Sequence, residues 1–425
     1  MIAHRPLRLL VILATCATLA AAPVAAAVEP TTSEIEIVRV KSRELKTPRA
    51  ALSPGGAALV VWEEETAGLR GAFVGRDGAL LGPVLALQQS TRFASLPAAG
   101  EVLEHQSPTV AFLAGGDFLL VWTLERSHVR TGPFYENRVV LDQDVMVQRF
   151  DPQGLPRGAA RRVNATAEGF QARPQILSRG PHGFVVAWEV GGKRFGPGAS
   201  LVLRRLTLEG RPAGPDVRVD GGGNLVGEVA LAGRADGGFL VVWETEANQG
   251  DVWARRFDAA AAPVGEPFLA HAPSGVQQRR PAVAAVIGGY LVAWQGAVGP
   301  AERRIFGQFF SPAGARQGGA FQISAGNDVS QLAPAIARLP EGRLLVTWRA
   351  WKDSSVNFGL SGVELDGAGQ ALGDEFWINV GRTRRIVSNW IVGDDQGGVF
   401  IPWLVDVRGS RPLAIQVVGR WLGAD

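Results

Sequence analysis

Cysteine is all but missing: the one thiol in 425 residues is Cys16, inside an apolar N-terminal stretch. A mature chain without it has no disulfide and no thiolate chemistry, so stability must come from packing. Lysine is scarce too, with Lys41, Lys46, Lys193 and Lys352 the only four, and arginine carries nearly all the positive charge. Beyond residues 9–22 no apolar run approaches the roughly 20 residues that a membrane helix needs. Charge of one sign is lacking as well, with 43 basic residues against 40 acidic ones, so no nucleic acid or other polyanion is implied as a partner. There is no Gly-x-Ser-x-Gly elbow, no phosphate-cradling loop and no dinucleotide fingerprint in the right context. Past the first residues the histidines are His105, His128, His182 and His271, none at metal-ligand spacing, and no metal or other cofactor is expected.

What is present begins with a leader. Arg5 and Arg8 precede the apolar run, and Ala25, Ala26 and Ala27 stand at a cleavage position. Residues 1–27 therefore read as a signal peptide, with an uncleaved anchor as the alternative. Thr15 before Cys16 argues against a lipoprotein. Losing Arg5 and Arg8 leaves a net charge near +1. The Arg, Ala and Gly bias together with the leader indicates a bacterial, exported protein, in which the Asn164-Ala165-Thr166 sequon has no expected role.

The dominant signal is a repeat. A Gly-containing turn, an apolar run and a Trp recur at residues 56–62, 116–122, 183–188, 238–243, 289–294, 342–348 and 398–403. The Trp-to-Trp steps are 60, 66, 55, 51, 54 and 55 residues. Each copy adds an upstream segment often opened by Pro (Pro108, Pro174, Pro281, Pro334), a downstream alternating segment, and a turn with two small residues four apart, as in Gly154 and Gly158. A fourth β-prone stretch follows, such as residues 321–324. Four short strands per unit, rich in β-branched and aromatic residues, predict a four-stranded antiparallel sheet.

The expected fold is all-β: a seven-bladed β-propeller of four-stranded antiparallel blades, with a β-solenoid as the lesser alternative. Its domain spans 28–425, with blades at about 46–90, 106–166, 172–221, 226–271, 279–325, 332–380 and 386–422. The last unit lacks a fourth strand after residues 413–418, and residues 34–41 resemble that strand. Pairing the two would close the ring and hide two sheet edges.

The unit running Phe309-Phe310-Ser311-Pro312-Ala313-Gly314, then Phe321-Gln322-Ile323-Ser324, Pro334-Ala335-Ile336-Ala337 and Leu344-Leu345-Val346-Thr347-Trp348 resembles the repeat of large bacterial secreted and adhesin-like proteins. The resemblance covers the whole mature chain. It implies a structural repeat outside the cytoplasm and no known catalytic set. The acidic loops that follow the Trp in such relatives are missing here, as are the Ser-x-Asp-x-Gly-x-Thr-Trp boxes of sialidases.

The repeated Trp residues sit at one register of one strand, as packing between blades requires, and the residue after each Trp varies: Glu63, Thr123, Glu189, Glu244, Gln295, Arg349, Leu404. That variety argues against a symmetric ligand ring. Arg173, Arg279 with Arg280, and Arg384 with Arg385 stand in the loops entering several blades, and Arg173, Arg280 and Arg385 are candidates for attracting an anion at the pore entrance. The repeat loses regularity around the second unit. From Trp to the next turn the distances are 16, 32, 22, 18, 20 and 21, and from that turn to the next Trp they are 40, 30, 29, 29, 30 and 30. Two expansions of about 10 residues each thus fall on one expected face. They offer Arg92, Phe93, His105, Arg126, His128, Arg130, Phe134, Tyr135, Glu136 and Arg138 as candidate ligand-binding residues on long loops.

These observations lead to the expectation of a monomeric, non-enzymatic propeller that binds or adheres to a protein or glycan in the envelope or outside the cell. The alternative is a carbohydrate-active or other hydrolase or lyase with its site in the central depression, which needs two carboxylates about 5–10 Å apart.

Overall fold

A computed structural model describes residues 30–40, 45–64, 67–90, 99–132, 135–167, 169–191, 199–220, 225–245, 250–325, 330–351, 358–379, 385–394, 396–407 and 414–423. The expected leader lies outside them. The chain runs through consecutive antiparallel groups of four strands. The first is Leu45–Leu52, Ala58–Glu64, Gly68–Val74 and Leu85–Gln88, and the second Ala99–Phe112, Phe118–Gly132, Tyr135–Phe150 and Arg161–Arg162. The third is Phe170–Ser178, Phe184–Gly191, Ser200–Leu206 and Pro212–Arg218, and the fourth Leu225–Gly233, Phe239–Thr245, Asp251–Phe257 and Pro263–Leu269. The fifth is Gln278–Val286, Gly289–Ala297, Arg303–Phe310 and Arg316–Gln322, and the sixth Ser330–Arg338, Leu344–Trp351, Phe358–Leu365 and Phe376–Trp377. In the last group Arg385–Asn389, followed by the short Val392–Gly393, pairs Val399–Val407, which pairs Ala414–Leu422. Beyond that strand lies Ile35–Val40, from the other end of the chain, with Ile35 opposite Gly419 and Val40 opposite Ile415.

The first strands of successive groups lie against one another, and that of the last group touches that of the first. We call them inner strands. The architecture is all-β and propeller-like. No helix among the described residues is long and apolar enough to cross a membrane.

The Trp-bearing second strands are apolar without interruption because both of their faces are covered. Side chains alternate along a strand, so Val60 and Trp62 join a core with Phe400, Val417 and Trp421 of the last group, while Leu59 and Val61 join Val110, Leu120 and Trp122 of the second. The same division recurs along the chain: Trp243 packs on Val185 and Leu201 of the preceding group, and Leu240 and Val242 on Tyr290 and Trp294 of the following one. All the repeated Trp side chains are at most 2% exposed.

Polar side chains finish the strand ends. The second residue beyond the fourth strand caps a main-chain N–H of the third: Asn164 Oδ1 accepts from Val145 at 2.9 Å, Asp220 Oδ1 from Leu201 at 3.1 Å, Ser324 Oγ from Ile305 at 2.9 Å and Asn379 Oδ1 from Leu360 at 2.7 Å. His271 does the same through Nε2 with Val252 at 3.2 Å, and with that nitrogen accepting, Nδ1 donates to the Ala272 carbonyl at 2.8 Å. Asn164, within the sequon, is thus a buried strand cap. In the turns between third and fourth strands, Asp151 Oδ1 accepts from Gln153 and Leu155, and Asp366 Oδ1 from Ala368 and Gln370. The chain there passes through φ of +80° at Gly154 and +87° at Gly369, which is why small residues recur; Ala261 takes the same position at +59°.

Trp243→Ala is expected to cost about 3–5 kcal/mol, the usual range for deleting a buried large aromatic, read from denaturant unfolding. Removing residues 30–40 takes away the strand beside Ala414–Leu422 and Ile37 from its core, and should lower the melting temperature markedly; an unchanged melt would show that the strand contributes nothing to stability.

Candidate active site

The inner strands carry a repeated irregularity. In the second, third, fifth and sixth groups the residue before the proline has positive φ: Ser107 at 51°, Arg173 at 52°, Arg280 at 53° and Ala333 at 53°. Pairing with the Trp strand shifts register at the same place, as in a β-bulge. The bulge turns one N–H out of the ladder, and a buried N–H needs an acceptor. It finds the residue after the Trp of the preceding group. Ser107 donates to Glu63 at 3.1 Å, Arg173 to Thr123 Oγ1 at 3.1 Å, Arg280 to Glu244 Oε2 at 2.5 Å and Ala333 to Gln295 Oε1 at 3.3 Å. The chemical variety at this position, which argues against a symmetric ligand ring, is at Glu63, Thr123, Glu244 and Gln295 variety among acceptors doing one job.

Charged groups concentrate at these bulges. Lys46 pairs with Glu63 at 3.0 Å, Arg173 with Glu189, and Arg280 with Glu228 at 3.3 Å. Arg49 lies over the Trp390 ring at 4.5 Å; burial lowers its pKa, opposed by the charge of Glu228 from the fourth group. Gly227 makes room for a carboxyl, since a Cβ there would meet Glu244 Oε1 at 2.0 Å. Burial raises the pKa of Glu189, against the pull of Arg173, and Glu244 adds to the rise. Burial likewise raises Glu244, against the Arg280 N–H, with Glu228 pushing the same way as burial. Two carboxyls that resist ionisation, Glu244 buried and Glu189 half-buried and sensing the charge of Glu244, thus stand on neighbouring groups, with arginines beside them. Their raised affinity for protons and partly ionic surroundings suit proton transfer. Among the described residues no cluster of three or more His, Cys, Asp or Glu is arranged to hold a metal.

The residues singled out from sequence fall in two places. Arg173 and Arg280 belong to the inner-strand cluster, each already paired with a carboxylate; Arg385 lies on an inner strand, with its side chain outside the described residues. The two expansions of the second group are strands where loops are expected. Residues 99–106 pair with 123–130, and Tyr135–Phe150 returns alongside, with Gly132 opposite Tyr135 and Val129 opposite Arg138. Polar residues on both faces of this extension hid its strand character, because neither face shows the apolar alternation that marks a half-buried strand. Arg92, Phe93 and Phe134 lie outside the described residues, as do the side chains of Arg130, Tyr135, Glu136 and Arg138. Arg126 is held between Glu101 at 3.3 Å and Asp142, and His128 is exposed opposite Glu101. His105 is drawn inward, its ring 5.8 Å from that of Trp122 and its Nδ1 buried without a hydrogen-bond partner, and burial lowers its pKa to about 4.

No protein family and no curated protein matches the sequence. Solved structures do. A protein of unknown function from Dyadobacter fermentans aligns at TM-score 0.52 and 13% identity over 78% of this chain and 100% of its own. An alpha-L-arabinofuranosidase from Fusarium graminearum aligns at TM-score 0.43 and 10% identity over 93% of this chain and 98% of its own. A Trypanosoma rangeli sialidase aligns at TM-score 0.43 and 11% identity over 92% of this chain and 60% of its own. At such identities the likeness is one of fold. No family or curated match supports the resemblance to adhesin-like repeats.

The expected non-enzymatic binding or adhesion role is corrected here. Solved structures with a stated activity that resemble this chain are mostly glycoside hydrolases, among them arabinofuranosidases, an endo-arabinase and a galactosidase. Glu189, half-buried, and Glu244, buried, each follow the Trp of a second strand and lie beside the inner strands.

His105 gives a pH test. Its pKa is lowered in the fold, so the unfolded chain takes up the proton first as pH falls. Stability is therefore full above the ordinary histidine value of 6.5 and declines as pH drops toward about 4. At about 1.36 kcal/mol per pKa unit the loss is on the order of 3 kcal/mol, and urea unfolding of His105→Gln at the two ends of that window should lack it.

Proposed function

We propose that the chain is an exported seven-bladed propeller closed by its N-terminal strand, and that its central depression is the active site of a glycoside hydrolase. The closed ring draws support from contacts between the last group and the first: Trp421 Nε1 donates to the Gly75 carbonyl at 2.7 Å, Trp390 Nε1 to the Ala50 carbonyl at 3.0 Å, and Arg76 pairs with Asp394. The observation that carries the hydrolase reading is the pair of carboxyls on neighbouring groups, half-buried Glu189 held by Arg173 and buried Glu244 held by one main-chain N–H and pressed against Gly227.

Hydrolysis of a glycosidic bond needs one protonated and one ionised carboxyl. Glu244, with Glu228 opposing its ionisation, keeps its proton and passes it to the leaving oxygen as the C–O bond breaks. Glu189 acts as the base in its ionised form, which Arg173 favours against the burial that raises its pKa, and accepts a proton from the water whose oxygen bonds to the anomeric carbon. Loss of the Glu244 proton at high pH then sets the alkaline limb of activity.

The test is a panel of aryl glycosides, starting with arabinofuranosides, xylosides and galactosides. Glu244→Gln should lower kcat by at least ~100-fold while leaving the melt unchanged, with a smaller loss for nitrophenyl leaving groups that need little protonation. An active Glu244→Gln with an unaltered alkaline limb would remove Glu244 from the mechanism.

A further inference from the structure

The charges at the mouth of the depression bear on what it accepts. We infer that the site takes an uncharged sugar, because the inner-strand cations described around it are already occupied by carboxylates or by a ring and none of these is left over for the carboxylate of a uronic or sialic acid. This rests on the hydrolase reading above and adds the substrate class. Lys46 is committed to Glu63, Arg173 to Glu189, Arg280 to Glu228, and Arg49 to the Trp390 face. Arg279 and Arg349, the other described arginines at these strand ends, are not free either.

Recognition of a carboxylate by arginine uses the same fork of donors that an internal carboxylate occupies. A sugar acid would have to displace Glu189 from Arg173, and Glu189 has only 14% of its side chain exposed. Stripping the partner from a buried charge costs far more than the new contact returns. The incoming anion would also meet Glu189, Glu228 and Glu244 together. A neutral sugar meets no such opposition: its hydroxyls donate to carboxylates and accept from guanidinium N–H groups, and the ion pairs stay in place.

The weakest link in this exclusion is Arg280, because its pair with Glu228 is half open to solvent, at 40% and 56% side-chain exposure. Glu228→Gln should therefore release one cation without unburying an anion, and admit what the native site refuses.

The experiment compares neutral 4-nitrophenyl glycosides with a glucuronide, a galacturonide and a sialoside. The best neutral substrate should exceed every acidic one by at least ~100-fold in kcat/KM, with little change between roughly 0.05 and 0.5 M salt. In Glu228→Gln the KM of the glucuronide, relative to that of the neutral substrate, should fall by about tenfold. An acidic glycoside turned over as well as a neutral one, or a KM ratio unmoved by Glu228→Gln, overturns the inference and leaves the hydrolase reading standing. Should no glycoside be cleaved, the hydrolase reading fails, and saturation-transfer NMR with the free sugars decides the inference separately: binding of neutral sugars alone supports it, and binding of uronates or of no sugar overturns it.

Discussion

Everything in this fold depends on one strand of each group being buried on both faces. A lone four-stranded sheet of this size would leave one face of its Trp strand in water, and burial of apolar surface at ~25 cal/mol per Å² is the main source of stability. Because Val60 and Trp62 point to one neighbour while Leu59 and Val61 point to the other, no group is complete without two neighbours. The first group has the second on one side and the last has the sixth, and the core that Trp62 shares with Trp421, with Ile37 from the N-terminal strand, covers the other face of each.

This constraint also sets what was legible in the sequence. Two-sided burial writes itself as an uninterrupted apolar run ending in Trp, so the strand groups and their number of strands stand out. The turns do so too, since a left-handed φ at Gly154 or Gly369 selects glycine. The strand caps do not. Asn164, Asp220, His271, Ser324 and Asn379 perform one task with four different kinds of side chain, because an N–H asks only for an acceptor. His271 thereby passes for a possible functional histidine in sequence, whereas its ring is buried as a cap.

The site was hidden for a different reason. Glu189, Glu228, Glu244, Arg173 and Arg280 are scattered over three groups, and each looks like ordinary surface charge until inner-strand packing brings them together. The clue was present in the Pro-opened segments, where a residue forced to positive φ ahead of proline must release an N–H from the ladder. The long second group drew attention instead because length is visible in one dimension. Its added residues extend three paired strands, and Arg126 there is already held by Glu101 and Asp142.

The repeat itself separates structural need from the chemistry at Glu244. The released N–H is satisfied by Thr123 in one group and Gln295 in another, so a neutral acceptor suffices. A carboxyl in the same position adds a desolvation cost that the hydrogen bond does not require. At Glu63 that cost is offset by Lys46. At Glu244 Glu228 adds to it, while the Arg280 N–H and the charges of Arg279 and Arg280 offset only part, and the missing side chain of Gly227 makes room for the carboxyl. A carboxyl is thus held where its charge is disfavoured, in a position that a neutral residue fills elsewhere in the same chain, and the released N–H alone does not account for it.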